Sequence, residues 1–405
     1  MDRFQGLIGI VLIFAIIFGF SSARGRIKWR TLGMGFALQI SFAVIVLSWD
    51  PGFKALEWVS HQIQKLIDFT AEGTSFVFGP LFGENVGFIF ALNVLPVIIF
   101  LGAIVAALYY LRILQWFVEI VGTALGKVMG TSKIESVWAS TVIFLGQSEA
   151  PLVIKPWIPK LTRSELFACM SGGFASVAGS TLVGYSLLGA PLEYLLAASI
   201  MNAPGSLLVA KGLIPETEVS TASANVREVR DTENRNIIDA LGSGAMAGGR
   251  IAVAVACMLI AFIALIAMFS AIISGVGTMF GQDNWSLEGL FGIVLAPLAW
   301  AIGVPWEEAG LVGNFIGQKT ILNEFVGYTS FSEHVDTMSA KSILISTFAL
   351  AGFANLSSIA IQIGAFGALC PERRSDVASL GLRALSAGFL TNMLNAAIVG
   401  VVAII

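Results

Sequence analysis

Apolar stretches long enough to cross a bilayer recur along almost the whole chain, and they constrain its fold more than any other feature. A crossing helix needs about 20 mostly apolar residues. Segments 5–21, 32–48, 87–111, 166–188, 193–210, 246–275, 343–369 and 385–405 meet that requirement. Composition agrees, since 56% of residues are hydrophobic and 12% charged, whereas a soluble domain carries about a quarter charged residues. The expected fold class is therefore an all-α integral membrane protein with eight transmembrane helices. A net charge of −3 gives nucleic acid nothing to hold. Cys169, Cys257 and Cys370 lie far apart in or beside apolar segments, without metal-ligand spacing, and read as small packing residues. His61 and His334 are too distant in sequence to suggest a metal cluster.

Gly6–Phe20 has the length of a signal-peptide core, but Arg24, Arg26, Lys28 and Arg30 follow it rather than precede it. That polarity is wrong for a cleaved secretory signal and fits a retained first helix with its N-terminus outside. With spans alternating from there, 18 of the 23 basic residues fall on the inside face, and Arg3, Lys54, Lys65, Lys319 and Lys341 fall outside. Basic residues collect on the cytoplasmic side, so both termini are expected outside. The Lys54–Phe69 segment places Leu56, Val59, Ile63, Leu66, Ile67 and Trp58 on one helical face and charged residues on the other. It reads as an amphipathic helix lying in the membrane interface. The polar stretch Glu216–Asn236 has the composition of a solvated cytoplasmic loop.

Two further apolar regions, 135–158 and 288–328, are broken by Gly and Pro and contain carboxylates. The basic-residue bias survives only if each returns to the side it left, so both are expected to be re-entrant hairpins. Each begins at a Gly turn and carries an early acid, Glu135 in one and Glu307 or Glu308 in the other. Each closes on a polar pair with an acid, Gln147-Ser148-Glu149 and Asn323-Glu324. A Gly/Ala/Ser-rich span follows each, Ser171–Tyr185 and Ala351–Ala360. The first hairpin enters from inside and the second from outside, which makes an inverted repeat of the kind secondary transporters use to build a midplane site.

The expected domain division is 1–48, two peripheral spans; 49–85, the interfacial helix and loop; and 86–111, a scaffold span. There follow 112–188, the first hairpin unit with the fourth span, and 189–275, the fifth and long sixth spans with a loop at 211–245. The last two are 276–369, the second hairpin unit with the seventh span, and 370–405, the last span.

An ionisable group at bilayer depth costs at least about 2.5–3.5 kcal/mol, so Glu149 and Glu324 should face a polar cavity or a partner. Hairpin tips also expose unpaired backbone groups, tolerable only where they line a cavity or lie buried in protein. An interhelical salt bridge or packing pair would account for either acid alone. Asn355 and Ser358 lie at i, i+3 and share one helix face. An amide and a hydroxyl facing two carboxylates suit a solute with several hydroxyls and an amide-bearing ring, which includes a nucleoside and other polar metabolites.

The runs Gly146-Gln147-Ser148-Glu149-Ala150-Pro151, Asn323-Glu324-Phe325-Val326 and Gly352-Phe353-Ala354-Asn355-Leu356-Ser357-Ser358 resemble those of the concentrative nucleoside transporter family. Order and spacing agree from about Ile27 to the C-terminus. The resemblance implies a bacterial inner-membrane symporter that imports nucleosides by elevator-type alternating access. It also implies a homotrimer in contact with membrane lipid and no cofactor other than a coupling ion. It places Gln147, Ser148, Glu149 and Phe353 on the nucleobase, and Glu324, Asn355 and Ser358 on the ribose. Its cation site would use Leu145, Ser176 and Val177.

One position departs from the pattern. Sodium-coupled members carry an asparagine seven residues before the hairpin glutamate, and here that position is Val142. A lost oxygen ligand weakens a sodium site, so proton coupling through Glu149 or Glu324 stands beside sodium coupling. A passive channel, or a carrier for another polar metabolite, is the competing function. No Ser/His or Asp/Asp pairing and no phosphate-cradling glycine loop supports an enzyme.

Overall fold

The structure, a computed structural model, describes residues 5–82, 89–220, 234–281 and 285–403. In chain order its α-helices are α1 (Gln5–Gly19), α2 (Trp29–Leu47), α3 (Asp50–Asp68), α4 (Thr70–Phe78), α5 (Phe90–Asn93), α6 (Leu95–Tyr110) and α7 (Ile113–Met129). Next come α8 (Lys133–Thr141), α9 (Ala150–Ile154), α10 (Arg163–Ala175), α11 (Gly179–Leu187) and α12 (Leu192–Leu213). The second half holds α13 (Ile237–Met279), α14 (Leu287–Ala301), α15 (Trp306–Ile321), α16 (Glu324–Ser332), α17 (Ala340–Leu350), α18 (Leu356–Leu369) and α19 (Arg374–Val402). Among the described residues every regular element is helical. In hydrocarbon a helix satisfies its own backbone groups, which an open strand does not.

The two halves repeat one order of elements. A long span (α5–α6, then α13) leads into a linking helix (α7, then α14) and a two-armed hairpin (α8–α9, then α15–α16). A span broken in its middle (α10–α11, then α17–α18) and an unbroken closing span (α12, then α19) complete each half. Helix α14 meets α15 at a bend of 115°.

Three boundaries differ from those expected. Region 288–328 is not one hairpin: α14 is a separate helix, and the hairpin is α15–α16, pivoting at Leu322. Segments 166–188 and 343–369 are not continuous spans, because each unwinds midway, at 176–178 and 351–355. The cause is tertiary, since donors from distant helices take the freed carbonyls. The expected solvated loop lies mostly outside the described residues. Its described start is not merely solvated, as Glu216 accepts from Thr162 at 2.8 Å and pairs with Lys211 at 3.4 Å.

Capping residues explain where the interrupted helices restart. Ser132 with Glu135 and Thr162 with Glu165 form capping boxes on α8 and α10. Asn323 and Asn355 accept the amide hydrogens of Val326 and Ser358 and so open α16 and α18. Helix α3 is amphipathic as expected, with Leu56 and Ile67 buried and Trp58 exposed. Helices α6 and α13 lie along each other, brought close by Gly102, Gly244 and Gly248, where a Cβ would run into the facing backbone. Cys169 and Cys370 are buried as packing residues, whereas Cys257 is exposed on α13.

Burial also corrects the basic-residue count. Lys319, assigned to an outside loop, has no exposed surface, and Lys211 is buried beside Glu135, Glu216 and Ser164. A buried lysine says nothing about sidedness. Removing both leaves the imbalance intact.

Candidate functional site

The two broken spans touch at their breaks. Phe353 N–H donates to the carbonyl of Ser176 at 3.1 Å, tying the α17–α18 break to the α10–α11 break. Gly352 makes this possible, because a Cβ there would lie 2.6 Å from the Ala175 carbonyl oxygen and overlap Asn392. The last carbonyls of a helix have no partner within it. Asn392 of α19 supplies one from outside, donating to the carbonyls of Ala175 (2.9 Å) and Ala351 (2.9 Å). Asn202 of α12 donates to Ala351 as well (3.1 Å). The Lys319 ammonium donates to the Ala349 carbonyl at 2.7 Å and to Asn392 Oδ1 at 2.8 Å. From there the polar chain runs through Asn202 and Asn395 to Gln39, all buried. A buried network of this kind favours one arrangement of the surrounding helices, although Gln39 Oε1 at its end has no protein partner among the described residues.

Both hairpin tips point their acids at this crossing. Glu149 is the N-cap of α9 and Glu324 the first residue of α16, so each carboxylate sits where a helix dipole favours negative charge. A cavity of about 160 Å³ lies between them, lined by Gln147, Ser148, Glu149, Glu324, Phe353 and Asn355 among others. A larger cavity of about 680 Å³ shares Gly146, Glu149, Ser180 and Ile251 with it and extends to Lys155, Trp157 and Asn234. The site is thus a small chamber, largely apolar in its lining and edged by the carboxylates, amides and hydroxyls of the hairpin tips and breaks, with a vestibule on the side of the loop that precedes α13.

Within the chamber the acids have different partners. Glu324 is buried, with Tyr185 Oη donating to Oε1 at 3.0 Å and Asn355 Nδ2 donating to Oε2 at 2.8 Å. Tyr185 is held by stacking on Tyr328, ring centres 4.6 Å apart. Glu149 is half-buried and accepts from Ser148 Oγ at 2.9 Å. Gln147 crosses between the halves, donating to Ser358 Oγ at 2.7 Å and accepting from Gln362 at 3.0 Å.

The comparisons with known proteins bear directly on this geometry. The family described as "Na+ dependent nucleoside transporter" matches at its C-terminal part over residues 194–400 and at its N-terminal part over residues 8–81. A third, described as "Nucleoside recognition", matches residues 91–192. The chain belongs to the concentrative nucleoside transporter family. Among its relatives, the uncharacterised transporter YutK of Bacillus subtilis is 50% identical over 99% of both chains. The nucleoside permease NupC of Helicobacter pylori is 40% identical, covering 97% of this chain and 96% of that one. The solved structure of CNTnw in an inward-facing substrate-bound state is 44% identical, with TM-score 0.94 over 99% of this chain and 98% of that one. An outward-facing CNTnw variant gives 0.96 at 45% identity, again over 99% of this chain and 98% of that one. As a family member this chain is a cation-coupled nucleoside transporter with the family's inverted-repeat architecture, and not an enzyme.

This transporter brings all seven residues expected at the substrate together around one chamber. The two expected groups are not separate, because Gln147 of the first bonds Ser358 of the second. Of the expected cation residues, Ser176 uses its hydroxyl on the Gly173 carbonyl (2.9 Å) and its own carbonyl on Phe353. The carbonyls of Leu145 and Val177 accept no backbone hydrogen bond among the described residues. Val142, the C-cap of α8, is buried.

Three residues escaped the sequence reading, and a fourth, Asn323, was named at the hairpin's end without a role. Gln362 follows Asn355 and Ser358 at i+7, so extending the helical face would have found it. Tyr185 closes the small-residue run Ser171–Tyr185, where a lone aromatic hydroxyl was the available signal. Asn323 lines the chamber with a buried amide nitrogen that lacks a protein partner. Lys319 carried no signal that set it apart from a loop lysine. Tyr185→Phe keeps the ring contacts but removes one donor to Glu324, a bond in the range of about 1.5–3 kcal/mol for a charged acceptor, of which about 1 kcal/mol is expected to reach substrate binding. Uptake assays on that variant should show a KM raised roughly fivefold, with unaltered expression.

Proposed function

We propose that this protein imports nucleosides across the cytoplasmic membrane, with the hairpin tips and the two broken spans gripping one solute from both repeats. The single observation that carries this reading is the chamber between Glu149 and Glu324, where donors and acceptors from four interrupted helices converge. Gln147, Ser148, Glu149 and Phe353 take the nucleobase: an amide, a hydroxyl and a carboxylate pair with its polar edge, and the ring packs on its face. Glu324, Asn355 and Ser358 take the ribose, whose hydroxyls donate to a carboxylate already oriented by Tyr185 and Asn355. Both termini lie outside, three copies assemble in lipid, and transport proceeds as an elevator. On that orientation the vestibule toward Lys155 and Asn234 opens to the cytoplasm.

The coupling ion in this reading is the proton, carried by a hairpin glutamate. Val142 presents a buried hydrocarbon where a sodium ligand would otherwise stand, and sodium needs a shell of several oxygens. The free carbonyls of Leu145 and Val177 and the family's description as sodium-dependent support sodium as the second reading. Uptake of labelled uridine should survive replacement of sodium by choline and collapse when the pH gradient is dissipated. The reverse result makes sodium the ion. Val142→Asn restores an oxygen at the α8 end, and its uptake should gain a sodium dependence absent from the parent protein, read as a ratio of at least fivefold between sodium and choline media.

A further inference from the structure

Two amides at the site bond each other, and one of them is anchored where only one orientation works. Gln362 stands on α18, one turn beyond Ser358, and has no exposed surface. Its Nε2 donates to the carbonyl of Met170 on α10 at 3.0 Å and to Gln147 Oε1 at 3.0 Å. The two ends of an amide are told apart by their partners. A backbone carbonyl can only accept, so the nitrogen of Gln362 must face Met170. Turned over, the amide would set its oxygen against the oxygens of Met170 and Gln147 and lose both bonds. Gln362 Oε1 has no partner among the described residues, so the placement is set from the nitrogen end alone. Gly173 leaves room for it, since a Cβ there would lie 2.7 Å from Gln362 Nε2.

The anchored amide determines the next one. Gln147, buried at the first hairpin's tip, has its oxygen held by Gln362. Its nitrogen is therefore the end directed at Ser358 Oγ, 2.7 Å away. Both residues line the chamber, so Gln147 presents N–H groups there rather than an oxygen. An amide nitrogen carries two hydrogens. One goes to Ser358, and the second is available to a solute. Ser358 receives a hydrogen from Gln147 and keeps its own to donate. Its backbone N–H goes to Asn355 Oδ1 (2.9 Å), and Asn355 Nδ2 donates to Glu324 Oε2 (2.8 Å). The hydrogen bonds thus run in one sense from Gln362 to the Glu324 carboxylate.

We propose that Gln362 is a positioning residue that fixes the polarity of the chamber, making Gln147 a donor to the nucleobase and Ser358 a donor to the ribose. The matching base offers Gln147 a carbonyl oxygen or an unprotonated ring nitrogen. The matching ribose hydroxyl accepts from Ser358 and donates to Glu324. This deepens the nucleoside reading above and rests on it. Without Gln362 the Gln147 amide is free to turn, and the site no longer distinguishes bases by the strength of that acceptor.

The test measures initial uptake of labelled uridine by cells that express the full-length protein and lack other nucleoside uptake. Unlabelled uridine, 2-thiouridine and 4-thiouridine serve as competitors. Each thio analogue replaces one carbonyl oxygen of the base by sulfur, a poorer acceptor. Wild type should bind one of the two about fivefold more weakly than uridine, the loss of one neutral hydrogen bond. Gln362→Leu removes the anchor. Its KM for uridine should rise about fivefold while its maximal rate stays within about twofold of wild type. Its discrimination against the thio analogue should fall below about twofold. Gly173→Ala reaches the same end by another route, because its methyl displaces the Gln362 amide without removing it. It should lose the discrimination as well.

Equal binding of uridine and both thio analogues by wild type overturns the proposal, and that measurement needs no variant to fold. Variants that bind uridine more weakly yet discriminate as wild type does overturn it too, because the site is then damaged with the Gln147 amide still held. Loss of discrimination in either variant supports it. If wild type takes up adenosine and not uridine, deaza analogues of adenosine, each lacking one ring acceptor, replace the thio pair with the same outcomes. If it takes up neither, the nucleoside reading fails and this proposal falls with it.

Discussion

Glu324→Ala should reduce nucleoside uptake by a hundredfold or more while the protein still reaches the membrane. Its carboxylate oxygens hold two buried donors, Tyr185 Oη at 3.0 Å and Asn355 Nδ2 at 2.8 Å. Hydrogen bonds to a charged group are worth about 1.5–3 kcal/mol each. The substitution removes the acceptor proposed for the ribose hydroxyls and also the carboxylate that orients Asn355. Asn355 Oδ1 caps α18 through Ser358 N–H at 2.9 Å and accepts from Ser357 at 2.7 Å, so freeing its amide loosens the binding face as well. Two lost charge-assisted bonds amount to about 3–6 kcal/mol, which exceeds the factor of a hundred stated. Initial uptake rates of labelled uridine, normalised to membrane protein, measure the effect. An uptake within threefold of wild type would remove Glu324 from the site.

Asn392→Leu should be the most destabilising single change in the membrane interior. Asn392 donates to the carbonyls where both broken spans unwind and accepts from Lys319. Leucine has the same number and branching of side-chain heavy atoms, so the change leaves no cavity. It leaves the Ala175 carbonyl without the donor it has among the described residues and the Lys319 ammonium short of an acceptor, while Ala351 keeps its bond from Asn202. A buried polar group left unsatisfied costs about 1–3 kcal/mol, and more when charged, so a total near 4 kcal/mol follows. Thermal unfolding of purified protein should show a midpoint lower by about 5 °C. A shift below about 2 °C would mean that water or a rearranged neighbour replaces the amide.

What was legible in the sequence divides along physical lines. Span length and the amphipathic face of α3 depend on local composition, so they were readable. The hairpin acids were readable because their cost in lipid is local too; the spacing of Asn355 and Ser358 was read as one helix face, whereas Asn355 stands in the break and meets Ser358 as the cap of α18. The breaks at 176–178 and 351–355 were not, because Ser176 and Ala351 would be at ease in a continuous helix. They unwind because Asn392, hundreds of residues away from the first break, supplies donors to the freed carbonyls. Region 288–328 concealed three helices for a similar reason: α14 is as apolar as a span and only its packing on α15 sets it apart. Lys319 was misplaced because charge counting treats every lysine as facing water, whereas this one faces a helix end and a buried amide.

If one chamber, between Glu149 and Glu324, couples a nucleoside to a cation, uptake into proteoliposomes will reveal it, with labelled uridine equal on both sides and only a cation gradient imposed. Uridine should accumulate transiently above its outside concentration, driven by an inward proton gradient, and this should be abolished in Glu149→Gln. Equilibration without accumulation under both proton and sodium gradients would contradict it and identify a passive pathway instead.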